Sequence, residues 1–100
     1  IKNMKFQEKE LNDILQNNDM VLLNFSTEWC VPCRKMNPII KEIEIDYTDL
    51  RVLFIDADVN KFLFEKYKVQ AVPSQILYNN GNEIFRNVGI ISKENLVSQL

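Results

Sequence analysis

Cys30 and Cys33 are the only thiols in the 100-residue sequence, and two residues separate them. The chain has no histidine. A thiolate can act as a nucleophile, a metal ligand or a disulfide partner. Without histidine there is no Cys–His nucleophile pair, no Cys2His2 zinc site and no imidazole acid–base catalyst. Two thiols supply only half of a tetrahedral zinc shell. A bridge between them closes a tiny loop and removes little entropy from the unfolded chain, so it is a poor staple. Spacing alone leaves redox exchange, a metal shared between chains, and inert local packing all open.

Composition narrows the class. One hundred residues fit a single small domain, 1–100, able to bury its own core. The hydrophobic fraction is 46%, the charged fraction 26% and the formal net charge −2. The twelve Lys and Arg are scattered. No basic stripe follows a phosphate backbone, so nucleic acid is not an expected partner. Apolar runs such as Met20 to Leu23 are too short to cross a bilayer, so no membrane association is expected. No export signal is recognisable near Ile1 and no structural cysteines are present. Together these give a cytoplasmic expectation.

The elements that must position the two thiols follow from periodicity. Met4 to Phe6 reads as a short edge strand. Glu8 to Gln16 carries Leu11, Ile14 and Leu15 at helical spacing, and Asn17-Asn18-Asp19 ends it. Met20 to Ser26 is a continuous apolar run, as in a strand buried on both faces. Pro32 suits the first turn of a helix that starts at Cys30 or Cys33 and runs to Tyr47. Met36, Ile39, Ile40 and Ile43 form its stripe, with a kink expected at Pro38. Arg51 to Asp56 is the next strand. Asn60 can cap a short helix through Tyr67, with Phe62, Leu63 and Phe64 partly buried. Ser74 to Tyr78 and Glu83 to Val88 flank Asn79-Asn80-Gly81-Asn82, the strongest hairpin signal in the chain. Ser92 caps a last helix whose Leu96, Val97 and Leu100 return to the core. The order β-α-β-α-β-α-β-β-α implies an α/β fold with a central mixed sheet and helices on both faces.

With those elements in order, the sequence resembles the thioredoxin family over nearly its whole length. Trp29-Cys30-Val31-Pro32-Cys33 resembles the family's Trp-Cys-Gly-Pro-Cys run. Arg34-Lys35-Met36 with Pro38 resembles the segment that follows. Glu65-Lys66-Tyr67-Lys68-Val69 and then Val72-Pro73-Ser74 resemble the approach to the family's cis-proline. Asn80-Gly81 and Val88-Gly89 fall where the family has a hairpin turn and a substrate-side glycine. A lone CxxC is a weak signal, whereas CxPC after Trp with the later Val-Pro is a specific one.

The resemblance implies a thioredoxin fold and thiol–disulfide exchange with no cofactor beyond the Cys30–Cys33 disulfide, and no metal. Cys30 is the expected nucleophile. A helix N-terminus aims unpaired N–H groups and the positive dipole end at its sulfur, which favours the thiolate without histidine. Cys33, one turn further in, is the expected resolving thiol. It attacks the mixed disulfide and releases reduced substrate. Trp29 reads either as a core aromatic or as an apolar wall on the substrate face; the resemblance favours the wall. The resemblance also implies a cis Val72–Pro73 bond facing the disulfide. Ala71 and Val72 would then offer backbone groups to an extended substrate, with Val31 in the same contact surface and Gly89 leaving space. Disulfide-containing client proteins and an electron-donating reductase, such as thioredoxin reductase, are the implied partners of a monomer.

The sequence departs from the family pattern in three places. Asn24 stands where the family has a buried Asp beneath the second cysteine, and Phe54 stands where a Lys often pairs with that Asp. Asn cannot take a proton, which leaves water, Glu28 or the departing thiolate to assist Cys33. Val31 replaces the usual glycine. Ser26 replaces a frequent second Trp. These departures keep alternatives to a general reductase in view: a specialised or exported protein acting on one client or as oxidant or isomerase, a binding module with weak chemistry, and a metal site at Cys30 and Cys33.

Overall fold

The Asn80-Gly81 turn sets the geometry of one half of the sheet. Both residues have positive φ, 51° and 82°, which joins β3 (Ser74–Asn79) to β4 (Asn82–Val88) through a two-residue turn whose twist matches the strands. Asn79 pairs with Asn82, and a bulge between Leu77 and Tyr78 shifts the register further along. The computed structural model describes residues 4–100. Its remaining elements are α1 (Glu8–Asn17), β1 (Met20–Ser26), α2 (Val31–Asp46), β2 (Leu50–Asp56), α3 (Lys61–Lys66) and α4 (Lys93–Val97).

The sheet order is β2-β1-β3-β4. β1 runs parallel to β2 and antiparallel to β3. Alternation along β1 divides the core. Val21, Leu23 and Phe25 face one way, towards Leu11 and Leu15 of α1 and Leu63 of α3. Leu22 faces the other way, with Leu77, towards Met36, Ile40 and Ile43 of α2 and Leu96 of α4. Asn24 shares the Leu22 face by the same period of two, so it points at the side of the sheet that α2 covers. Phe25, Phe64, Tyr67 and Tyr78 form a chain of edge and tilted ring contacts in the first cluster.

Most expected elements are present within a residue or two. α2 runs through Pro38 without ending. Three expectations are corrected. Met4 to Phe6 is not a strand. Asn60 captures this segment instead: its Oδ1 accepts from the Phe6 N–H at 2.7 Å and its Nδ2 donates to the Met4 carbonyl at 2.8 Å. One side chain thus supplies what a neighbouring strand would have supplied. Asn60 does sit at the start of α3, but its side chain makes no capping bond, because it is spent on residues 4–6 and on the Asp56 carbonyl. Leu100 is 39% exposed rather than in the core, and Phe62 is 40% exposed while Leu63 is fully buried. Both exposed side chains lie on the outer sides of short helices.

Asn60 is completely buried. Asn60→Ala removes three hydrogen bonds and orphans the Phe6 N–H, so a loss of about 2–4 kcal/mol is expected from urea titration.

Candidate functional site

The chain turns from β1 into α2 through residues 27–30, and the turn delivers Cys30 as the N-cap of α2. Its backbone is extended (φ −84°, ψ 115°), and its Sγ accepts the Cys33 N–H at 3.2 Å. Pro32 occupies the first turn, where no intrahelical N–H is lost. Cys30 and Cys33 form a disulfide with Cα atoms 5.2 Å apart. Both are buried, 4% and 1% exposed, with Cys30 the more accessible of the two. The helix end therefore directs N–H groups and dipole at Cys30, while Cys33 lies inside the first turn.

Three other segments meet the disulfide. The Val72–Pro73 bond is cis. The Val72 carbonyl oxygen lies 3.7 Å from Cys30 Sγ. The Ala71 carbonyl accepts from Ser74 Oγ at 2.6 Å, which leaves it one lone pair for any other donor. The Gly89 N–H donates to the Pro73 carbonyl at 2.8 Å, so the loop after β4 is tied to the cis-proline loop. Gly89 has φ +92°, and a Cβ added there would meet nothing within 4 Å. Gly89→Ala is therefore expected to cost about 1–2 kcal/mol of stability through backbone strain alone, read by thermal melting. A client segment passing that position would meet the new methyl, so KM should rise more than kcat falls.

Trp29 is 67% exposed, which excludes a place in the core. Its Nε1 donates to Asp58 Oδ2 at 2.7 Å, fixing the ring across the mouth of the site. Val31, Val88 and Ile90 are 61%, 59% and 53% exposed. Together with Trp29 these give an apolar surface on the segments that flank Cys30 and Gly89. A groove of about 740 Å³ opens beside Trp29 and Cys30, walled by Ala57, Phe64 and Val72 and edged by the charges of Asp58, Lys61 and Glu65. Thr27 also lines it and is buried, with its Oγ1 lacking a hydrogen-bond partner. Its position three residues before Cys30 was the one available cue to Thr27. Asp58 had none, because its pairing with Trp29 is made only by the fold.

Behind the disulfide, Asn24 is completely buried. Its Nδ2 donates to Asn37 Oδ1 at 2.9 Å, and its Oδ1 accepts from Gln75 Nε2 at 3.3 Å. Phe54 is its direct partner on β2. The interior near Cys33 thus holds carboxamides and a ring at the positions where the family pattern has an acid and a lysine. The structure brings Trp29, Cys30, Val31, Pro32, Cys33, Val72, Pro73 and Gly89 to one end of the sheet, with Asn24 beneath and Ala71 at the rim.

Known proteins resemble the chain in the same terms. The thioredoxin family model matches residues 2–100. Thioredoxin from Mycobacterium tuberculosis is 35% identical over 88% of this chain and 77% of that protein. Thioredoxin from Rickettsia bellii is 35% identical over 85% of this chain and 82% of that protein. Among solved structures, a single-site mutant of thioredoxin from Halobacterium salinarum superposes with a TM-score of 0.85 at 32% identity, covering 95% of this chain and 84% of that one. With its disulfide at the head of α2 and the family model matched from end to end of the described residues, the chain belongs to the thioredoxin family.

Proposed function

We propose that residues 1–100 form one thioredoxin domain in which Cys30 is the nucleophile and Cys33 the resolving thiol. The chain is a thiol–disulfide oxidoreductase of the protein-disulfide reductase type. The observation that carries the assignment of roles is the position of Cys30 as N-cap of α2, more open than Cys33 and facing the groove. The reduced Cys30 thiolate attacks a client disulfide. The client's other sulfur leaves as a thiol, and a Cys30–client disulfide forms. Cys33 then attacks Cys30, and the client departs reduced while Cys30–Cys33 is oxidised.

Trp29, Val31, Ala71, Val72 and Gly89 form the proposed client-binding surface, with Pro32, Pro73 and Asn24 supporting the reactive pair. The exposed apolar side chains and the exposed Val88–Ile90 segment suit an extended client backbone lying across the cis-proline loop. The oxidised pair must be returned to the dithiol by an electron donor, and a separate reductase is the proposed source. The chain works as a monomer in the cytoplasm. No helix among the described residues is long and apolar enough to cross a membrane, and the sequence carries no cysteine beyond the reactive pair, as suits a reducing compartment.

Reduction of insulin disulfides by dithiothreitol, followed by turbidity, tests the activity. Strong acceleration by catalytic amounts of the chain is expected; none would reduce it to a binding module. Equilibration with glutathione sets the direction. A potential near about −270 mV marks a reductant, and one well above about −200 mV an oxidant or isomerase.

A further inference from the structure

Strand register sets Asn24 opposite Gln75 and Gln75 opposite Asn87. Three carboxamides therefore stand in one transverse row, on the sheet face that α2 covers. They are joined end to end. Asn87 Nδ2 donates to the Gly89 carbonyl at 3.1 Å and to Gln75 Oε1 at 2.8 Å. Gln75 Nε2 donates to Asn24 Oδ1, and Asn24 Nδ2 donates to Asn37 Oδ1 on α2. The polarity of this row is not arbitrary. A backbone carbonyl only accepts, so Asn87 must turn its NH2 to Gly89. Gln75 must then offer its oxygen to Asn87 and its NH2 to Asn24. The donor end of Asn24 is thereby turned towards α2. Asn37 lies one turn past Cys33 on the same helix face, so that donor end sits about one turn from the Cys33 sulfur.

We infer that Gln75 and Asn87 are positioning residues for the resolving step: anchored on the Gly89 carbonyl, they hold Asn24 with its NH2 towards the helix of Cys33. The inference rests on the reading of Cys33 as the resolving thiol. In that step Cys33 attacks as the thiolate. The Cys30–client S–S bond breaks, the Cys30–Cys33 bond forms, and the client sulfur leaves with the electron pair and takes a proton from water. The proton that Cys33 gave up has also gone to water, since a carboxamide is no base. Its orientation still matters, because a nearby donor favours the thiolate and a nearby acceptor favours the thiol. The row also ties the substrate-side Gly89 loop to the buried side of the site, through residues that touch neither cysteine.

The test uses the reduced full chain and dithiobis-nitrobenzoate. The first nitrothiobenzoate released reports attack by Cys30, and the second reports resolution by Cys33. In Asn87→Asp the carboxylate can only accept. Gln75, Asn24 and Asn37 then each turn over, and the row keeps its side-chain bonds with the opposite polarity. Asn87 is half-exposed on an edge strand, so this variant folds. The second release is expected to slow about tenfold at neutral pH, with the first unchanged within about twofold. A purely structural row would leave both releases alone, because its internal bonds survive. Gln75→Met should also slow the second release, yet change nothing further when added to Asn24→Leu, since it acts through Asn24. An unchanged second release in Asn87→Asp, or additive effects in the Gln75/Asn24 cycle, overturns the inference. A second release that persists in Cys33→Ser overturns the assignment of Cys33 instead.

Discussion

Cys33→Ser stops turnover at the mixed disulfide. Cys30 keeps its place as N-cap of α2 and keeps the residue-33 N–H on its sulfur, since that bond comes from the backbone. The first attack should therefore proceed at close to the wild-type rate. The second cannot. A serine hydroxyl is not ionised near neutral pH and does not displace a thiolate from sulfur. The only remaining exit is an external thiol, which lacks the advantage of a nucleophile held one helical turn away. Losing an intramolecular partner of this kind costs at least about a hundredfold in rate. A covalent adduct between Cys30 and the client should accumulate on a non-reducing gel and appear by mass spectrometry at the summed mass. Turnover of Cys33→Ser equal to that of the wild type would sink the two-step scheme. The substitution is near-isosteric at a position 1% exposed, so a general loss of fold is not the expected cause of failure.

Asn24→Asp should move rate and stability in opposite directions. Asn24 is completely buried, and both of its amide atoms are paired. A carboxylate there keeps the Gln75 hydrogen bond and strengthens it. Towards Asn37, however, oxygen would face oxygen until Asn37 turns its amide over. The cross-strand partner is Phe54, which offers no charge to offset that of the carboxylate. Burying an unpaired carboxylate holds its pKa above the ordinary value and costs about 2–3 kcal/mol at neutral pH. The sign with pH follows. An unfolded Asp titrates near pKa 3.9, about as for any exposed Asp. The folded group titrates higher, so the neutral form is the one the fold tolerates. The deficit is absent below the unfolded pKa and grows as pH rises towards the folded one. Urea titrations at mildly acidic and neutral pH should therefore show the gap to the wild type widening with pH. Equal or higher stability at neutral pH would refute the argument. The same carboxylate can do what no carboxamide can, namely remove the Cys33 proton. The resolving step should gain about tenfold or more. This gain is distinct from the slowing expected when the Asn24 amide is merely inverted. A carboxamide oxygen holds a thiol proton in place, and only a carboxylate takes it away.

The two substitutions separate the halves of the site. The attacking half depends on Cys30, the helix terminus, Trp29 and the loops of Pro73 and Gly89, all of which the family resemblance anticipates. The resolving half depends on a neutral interior in which Asn24, Asn37, Gln75 and Asn87 stand in place of an ion pair. A neutral row avoids the desolvation cost of a buried acid. It also gives up an internal proton acceptor.

What was legible in the residues was local. The apolar run Met20–Ser26 is β1 to the residue, because a strand covered on both faces needs no polar alternation. Asn80-Gly81 announces the β3–β4 hairpin, because both positions need positive φ. Ser92 caps α4 by accepting the Asn95 N–H. The CxPC run places its own helix start, since the proline tolerates only the first turn. Periodicity, caps and turn chemistry are encoded within a few residues, and so was the reactive pair.

Other features were decided by contacts between segments far apart in the chain. Met4 to Phe6 has the residues of a strand, yet Asn60, more than fifty positions away, takes up its backbone groups. Trp29 is oriented by Asp58, which carries no sequence mark of that role. Gln75 and Asn87 read as ordinary strand positions until register aligns them with Asn24. Side-chain direction in a strand has period two, so the sequence implies which residues share a face within one strand. It does not say which rows on neighbouring strands coincide. By itself the sequence determined the redox pair, its helix and the order of elements, because those are local codes. Only the tertiary structure decided what lies behind Cys33, because a hydrogen-bonded row across three strands and a helix exists only once the register is set.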